Sequence, residues 1–246
     1  AKLAIVHDTE ERPNLKAQQS NALRLKIDHL KTFEPLTDNQ KLFYDAYRRG
    51  DYFIALHGVE GTGKTFIALY KAIESMMENT GVQNKIYIVR SVVPTRDMGF
   101  LPGNQKEKMK VYEAPYYAIC TELFDRSDAY EILKQKNAVE FISTSFVRGI
   151  TMNNCFVIVD EVNNMTFHEL DSVITRIGKG CRVLFCGDFR QSDLTKDQER
   201  SGLKDFMRVI GKLNDFVHVD FLEQDIVRSK LVKEYIIARQ KLGLQP

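Results

Sequence analysis

The 246-residue sequence has no tryptophan, six prolines and five histidines. It also lacks a marked excess of charge. Thirty-five Lys and Arg against 33 Asp and Glu leave a formal charge of +2. That balance excludes a uniformly basic coat, so any basic surface must be local. The four cysteines, Cys120, Cys155, Cys181 and Cys186, form no CxxC pair, and no histidine stands at zinc-finger spacing from them. Two sit inside apolar runs and read as buried thiols, and the set points to a reducing, cytoplasmic setting without disulfides. No run of 18 apolar residues is present, which argues against a membrane-spanning helix. Asp8, Glu10 and Glu11 argue against a signal peptide. No long linker, low-complexity tract or repeat interrupts the chain.

What is present is enough for one large α/β domain or two small ones, with 43% hydrophobic and 28% charged residues. Residues 1–34 are polar, with Arg12, Lys16, Arg24, Lys26 and Lys31 and only a weak apolar stripe. They read as an arm or a peripheral helix. From residue 35 the pattern becomes α/β. "LTDNQKLFYDAYRRG" predicts a helix capped by Thr37 or Asp38. Strands are predicted at 52–58, 85–91, 139–143, 155–161, 182–188 and 216–222. Further helices are predicted near 64–79, 114–125, 128–136, 166–178, 202–213 and 230–242, with 94–113 irregular. Such alternation indicates a mostly parallel sheet with helices on both faces.

Between the first strand and its helix lies Gly58-Val59-Glu60-Gly61-Thr62-Gly63-Lys64-Thr65, which satisfies GxxxxGK[ST]. Glycines let the backbone curl so that N–H groups face a phosphate. A helix starting near Lys64 adds the positive end of its dipole. Lys64 can reach the outer phosphates, and Thr65 can ligate Mg²⁺. The expected ligand is a nucleoside triphosphate, with Phe66 following the loop. The motif alone does not separate kinases, switches and motors.

"FVIVDE" ends an apolar strand with Asp160 and Glu161. Loops of a parallel sheet gather at such carboxyl ends. Asp160 is the candidate magnesium holder, and Glu161 the group that orients or deprotonates a water. This adjacent glutamate favours hydrolysis over phosphate transfer. "FCGDFRQSD" ends another strand at Asp188, with Arg190 and Gln191 beyond. The Gln191 amide is the candidate sensor of a terminal phosphate.

In this order the three motifs resemble the first motor domain of superfamily 1 helicases. More specifically, "GFLPGNQKEKM", "FVRGITMNNCFVIVDEVNNMT", "TRIGKG", "CGDFRQSDL", "SGLKD" and "DIVRSKLV" are similar to landmarks of the PhoH family of phosphate-starvation-inducible ATPases. The resemblance spans residue 36 to the end. It implies a RecA-like P-loop NTPase fold, ATP and Mg²⁺ as ligands, and one motor domain behind the N-terminal arm. It also implies that Gln40 reads the adenine edge. One departure stands out: where the family has "DEAQN", this chain has "DEVNN", so Asn163 replaces a glutamine while Asn164 matches.

Superfamily 1 motors close two such domains over ATP. This chain has one phosphate loop, so a second copy is the economical source of the opposite wall, in a closed ring. The resemblance favours a hexamer. An arginine from the neighbour would then approach the terminal phosphate; Arg228 is the first candidate, followed by Arg176 and Arg148. Strand binding is expected at Arg90, Arg96, Lys106, Lys108 and Lys110, with Phe100 and Tyr112 for stacking. The function expected is Mg-dependent ATP hydrolysis acting on single-stranded nucleic acid, with RNA favoured by the resemblance. A nucleotide-gated interaction protein with slow turnover is the alternative; a kinase lacks its basic lid, and a nuclease lacks a separate acidic cluster.

Overall fold

The apolar runs of five or six residues are long enough for strands and too short for helices. In the computed structural model, which describes residues 25–92, 105–188 and 197–244, they form β1 (Phe53–Gly58), β2 (Lys85–Arg90), β3 (Val139–Ser143), β4 (Cys155–Asp160), β5 (Arg182–Gly187) and β6 (Phe216–Phe221). Every pairing is parallel, and the spatial order is β3-β2-β4-β5-β1-β6. β1 and β4 are buried along their whole length. Successive residues therefore serve two cores. Ile54, Leu56, Ile158 and Leu184 face one, and Ala55, Val157, Val159 and Phe185 face the other.

The first core is closed by α1 (Asp38–Arg49), α2 (Lys64–Glu78), α3 (Gln105–Phe124) and α4 (Ala129–Gln135). The second is closed by α5 (Phe167–Ile174) and α6 (Asp197–Ile210); α7 (Lys230–Lys241) lies near the phosphate loop, packing Ile236 against Val59. Thr37 caps α1, its hydroxyl accepting the Gln40 N–H at 3.3 Å. Gly50, at φ 91°, ends it. Phe43, Ala46 and Tyr47 then fall on the buried face, beside Gln40.

Two expectations change. Residues 105–113 are helical rather than irregular, since α3 runs unbroken for 20 residues. The last glycine of that stretch before the helix is Gly103, and the Gln-Lys-Glu-Lys run after it favours helix. Its weak apolar stripe concealed the period. The end of the polar arm also joins the domain body. Leu25 is buried in the first core, Ile27–His29 form a 3-10 turn, and Phe33 packs edge-on against Phe66 at 5.0 Å between ring centres. Among the described residues, no helix is long and apolar enough to cross a membrane.

Parallel strands bring all their carboxyl ends to one edge of the sheet. Register sets Arg90 beside Asp160 and His57 beside Gly187. The site is built on that edge.

Candidate nucleotide-binding site

The loop after β1 is shaped by glycine where no other residue fits. Gly58 sits at φ 124°, and a Cβ there would stand 2.0 Å from the Phe221 carbonyl oxygen. Gly61 and Gly63 are also left-handed, at φ 74° and 81°. Inside the curl, the fully buried Thr62 hydroxyl donates to the Val59 carbonyl at 2.9 Å. The Lys64 ammonium donates to the carbonyls of Gly58 and Val59 at 2.8 and 2.7 Å, and to the Thr62 hydroxyl at 3.3 Å. Burial pushes its pKa down, against the opposing pull of Cys186, Asp188, Glu161 and Asp160. An anion laid on the loop would add to that pull and favour the charged amine.

The acidic strand end meets the loop. The Thr65 hydroxyl donates to Asp160 Oδ1 at 2.7 Å. Asp160 Oδ2 accepts from the Tyr116 hydroxyl at 2.8 Å. Tyr116 comes from α3 and is fully buried. It also hydrogen-bonds Arg90, whose neighbour on the next strand is Asp160. Burial, then the Asp160 charge, holds the Tyr116 phenol well above its ordinary pKa, so it stays a donor. A hydroxyl and a carboxylate converging in this way are hard oxygen donors of the type magnesium takes. Glu161 follows at φ 54°, a left-handed conformation uncommon for a residue other than glycine. The strand ends there, and Glu161 turns to line the same cavity as the loop.

That cavity measures about 870 Å³, within the range of small-molecule sites. Its lining includes Lys64, Thr65, Asp160, Glu161 and Asp188, and also Phe33, Glu34, Leu36, Gln40, Tyr44 and Phe66. Charged and hydroxyl groups and aromatic rings thus line one cavity, the two kinds of surface for which a nucleotide presents partners. Gln40 is buried, accepting from the Leu36 N–H at 2.8 Å and donating to the Thr62 carbonyl at 3.0 Å. It ties the start of α1 and the segment before it to the phosphate loop. Val59 packs against Ile226, and Glu60 pairs with Arg239 of α7.

Several expected residues land elsewhere. Arg90 was expected on a nucleic-acid strand; its register beside Asp160 turns it into the nucleotide cavity. Arg228 was expected in a neighbour's site. It lines its own chain's cavity, because Val227 N–H bonds the Gly61 carbonyl at 3.0 Å and pins the segment to the loop. Arg176 and Arg148 lie outside the cavity, joined by a bond from Arg176 Nε to the Arg148 carbonyl at 3.2 Å. Lys110 is exposed on α3. The side chains of Lys106 and Lys108, and the whole of Arg96, Phe100, Arg190 and Gln191, lie outside the described residues. Sequence reading missed Tyr116 and the 32–36 segment; a lone buried tyrosine gives no signal beyond core packing.

Fold and loop together define an α/β P-loop domain with the RecA-like fold. The PhoH-like protein family model matches residues 32–240, and the chain belongs to that family. A PhoH-like protein of Mycobacterium tuberculosis is 33% identical over 211 residues, covering 85% of this chain and 58% of the relative. One from Bacillus subtilis is 31% identical over 212 residues, covering 86% and 65%. The chain thus spans about three-fifths of the length of these relatives. Among solved structures, the large terminase of bacteriophage HK97 aligns with a TM-score of 0.50 at 12% identity, over 87% of this chain and 47% of that one. That likeness concerns the fold.

Proposed function

We propose that this chain hydrolyses ATP in a magnesium-dependent reaction, as a self-assembling motor on single-stranded nucleic acid. The observation that carries the reading is the 2.7 Å contact between the Thr65 hydroxyl and Asp160, beside a buried Lys64. Thr65 and Asp160 would hold magnesium, which when bound offsets the negative charge of the outer phosphates. Lys64 exchanges its loop carbonyls for phosphate oxygens. Glu161 takes a proton from the attacking water, or holds it in line. Gln40 and the aromatic side chains of the cavity hold the adenine. Arg228 reaches the terminal phosphate from within the same chain, and Gln191 senses that group. Tyr116 fixes the Asp160 carboxylate so that its other oxygen faces Thr65.

A ring of copies, six by family resemblance, leaves Arg176 and Arg148 as the arginines able to act across a boundary. Exposed Lys110 on α3 is proposed to contact the strand, as are Arg96, Lys106 and Lys108, with RNA the favoured strand. The site requires a reducing aqueous compartment such as the cytoplasm only in so far as its thiols stay reduced.

The test is ATP turnover with and without single-stranded RNA, in the native chain and in Lys64→Ala. Turnover that rises with RNA and vanishes in the variant supports the reading. Equal turnover in both proteins removes it. Turnover indifferent to RNA and DNA keeps the ATPase and discards the motor. Mass photometry with and without ATP separately tests the ring; a monomer under both conditions discards it.

A further inference from the structure

We propose that His57, His218 and Asp220 form a site for a divalent transition-metal cation of the zinc class, on the β1–β6 edge of the sheet. Sheet register builds it. Ala55 pairs with His218 and His57 with Asp220, so the three side chains leave the same face of two adjacent parallel strands. Their ligand atoms all lie within 4.8 Å of one another. Asp220 Oδ1 is 3.8 Å from His57 Nε2 and 3.6 Å from His218 Nε2. Two ligands of one tetrahedral zinc, each bonded at about 2.1 Å, stand about 3.4 Å apart. The observed spacings are longer than direct hydrogen bonds and close to that separation.

The groups behind the ligands fit as well. The other nitrogen of His57, Nδ1, faces Asp188 Oδ1 at 3.7 Å. At that distance the carboxylate places negative charge behind the imidazole, where it would favour a bound cation, without a direct hydrogen bond. The His57 and His218 ring centres lie 5.2 Å apart, with planes 19° from parallel. Phe216 stacks behind His218 at 6.2 Å. His57 is almost wholly enclosed, whereas Asp220 is 61% exposed. The cation would therefore sit at the surface, with three protein ligands and water at the fourth position. Imidazole nitrogen selects the zinc class over magnesium, which prefers oxygen. Among the described residues no other such cluster of three donors occurs.

The site adjoins the phosphate loop without belonging to it. His57 precedes Gly58, and Asp188 lines the nucleotide cavity. A bound cation would clip edge strand β6 to β1 at the point where Val59 N–H already bonds the Phe221 carbonyl.

Cobalt(II) is the probe, added to chelator-stripped protein without nucleotide. The proposal predicts one equivalent bound, with the strong visible absorbance of four-coordinate cobalt, displaced by zinc. Cobalt at the all-oxygen Thr65–Asp160 position would be six-coordinate and pale. Zinc at about 100 times its dissociation constant should raise Tm by about 5–10 °C. Asp220→Asn, on an exposed side chain, and His218→Ala should each abolish the band. Asp188→Asn, acting only through His57, should weaken binding on the order of 10–100-fold. His168→Ala should leave it unchanged. No band up to millimolar cobalt, or a band that survives both Asp220→Asn and His218→Ala, overturns the site.

Discussion

The phosphate loop has two flanks, and they differ in how their polar groups meet. On the β4 side, Thr65, Asp160 and Tyr116 are joined by hydrogen bonds of 2.7 and 2.8 Å, with Arg90 bonded to the same phenol. On the other flank, His57 faces Asp220 of β6 at 3.8 Å and Asp188, just past β5, at 3.7 Å. Both flanks rest on the same parallel sheet, one strand to either side of the pair that frames the loop. The first is a buried, directly bonded network, in which each group's position is dictated by the next. The second opens to solvent and spaces its donors as ligands of one cation are spaced. A short bond and a shared ligand are two ways to fix a side chain. The first suits a carboxylate that must present one oxygen to a metal. The second suits an edge strand that must be held against its neighbour.

The comparison breaks most severely if the loop itself is not the seat of activity. Lys64→Ala should lower ATP turnover on the order of 1,000-fold or more, measured by phosphate release. Glu161→Gln should come next, with turnover down on the order of 100-fold or more and nucleotide binding retained by equilibrium fluorescence. If Glu161→Gln loses binding and turnover together, its left-handed backbone is serving the fold and not the reaction. Gly58→Ala attacks the joint between the flanks. Its Cβ would meet the Phe221 carbonyl at 2.0 Å on a left-handed backbone. The cost should be about 3 kcal/mol or more, a fall in Tm of roughly 6–12 °C by calorimetry. A fall of that size with β6 displaced would disturb cobalt binding and ATP binding at once. An unchanged Tm would mean that β6 yields freely at this point.

These contrasts were unequally legible in the sequence. The loop from Gly58 to Thr65 is contiguous, and glycine at fixed positions reports backbone shape directly. Asp160 and Glu161 were legible because an apolar run that stops at two acids marks a strand end. The six strands followed from apolar runs, but their order did not. The adjacency of β6 to β1 brings His218 and Asp220 to His57, and nothing local in "FVHVDFL" announces it. Arg90 is expected on nucleic acid because it lies just upstream of the basic 96–112 stretch, a region that touches the strand in the motors the sequence resembles. Pairing of β2 with β4 turned it inward. The start of α3 was lost because Gln105–Lys110 carries little apolar period. Tyr116 shares that helix, and burial alone would have filed it with the core. Phe33 and Glu34 were assigned to an arm on polarity, although Phe33 packs against Phe66 and Tyr70.

The smallest predicted effect is the most discriminating between the flanks. Tyr116→Phe removes one hydroxyl and leaves the ring in place. Asp160 keeps its bond from Thr65 but loses the donor on Oδ2. A hydrogen bond to a charged group contributes about 1.5–3 kcal/mol, and Arg90 remains nearby to compensate in part. The magnesium concentration giving half-maximal ATP turnover should therefore rise about tenfold, while turnover at saturating magnesium stays within about threefold of the native chain. The same substitution should leave cobalt affinity at His57, His218 and Asp220 unchanged, since sites with no shared partner behave additively. If half-maximal magnesium does not move, Tyr116 is only core. If cobalt affinity falls as well, the two flanks are one network, and the distinction between bonded and ligand-spaced groups has no consequence for this fold.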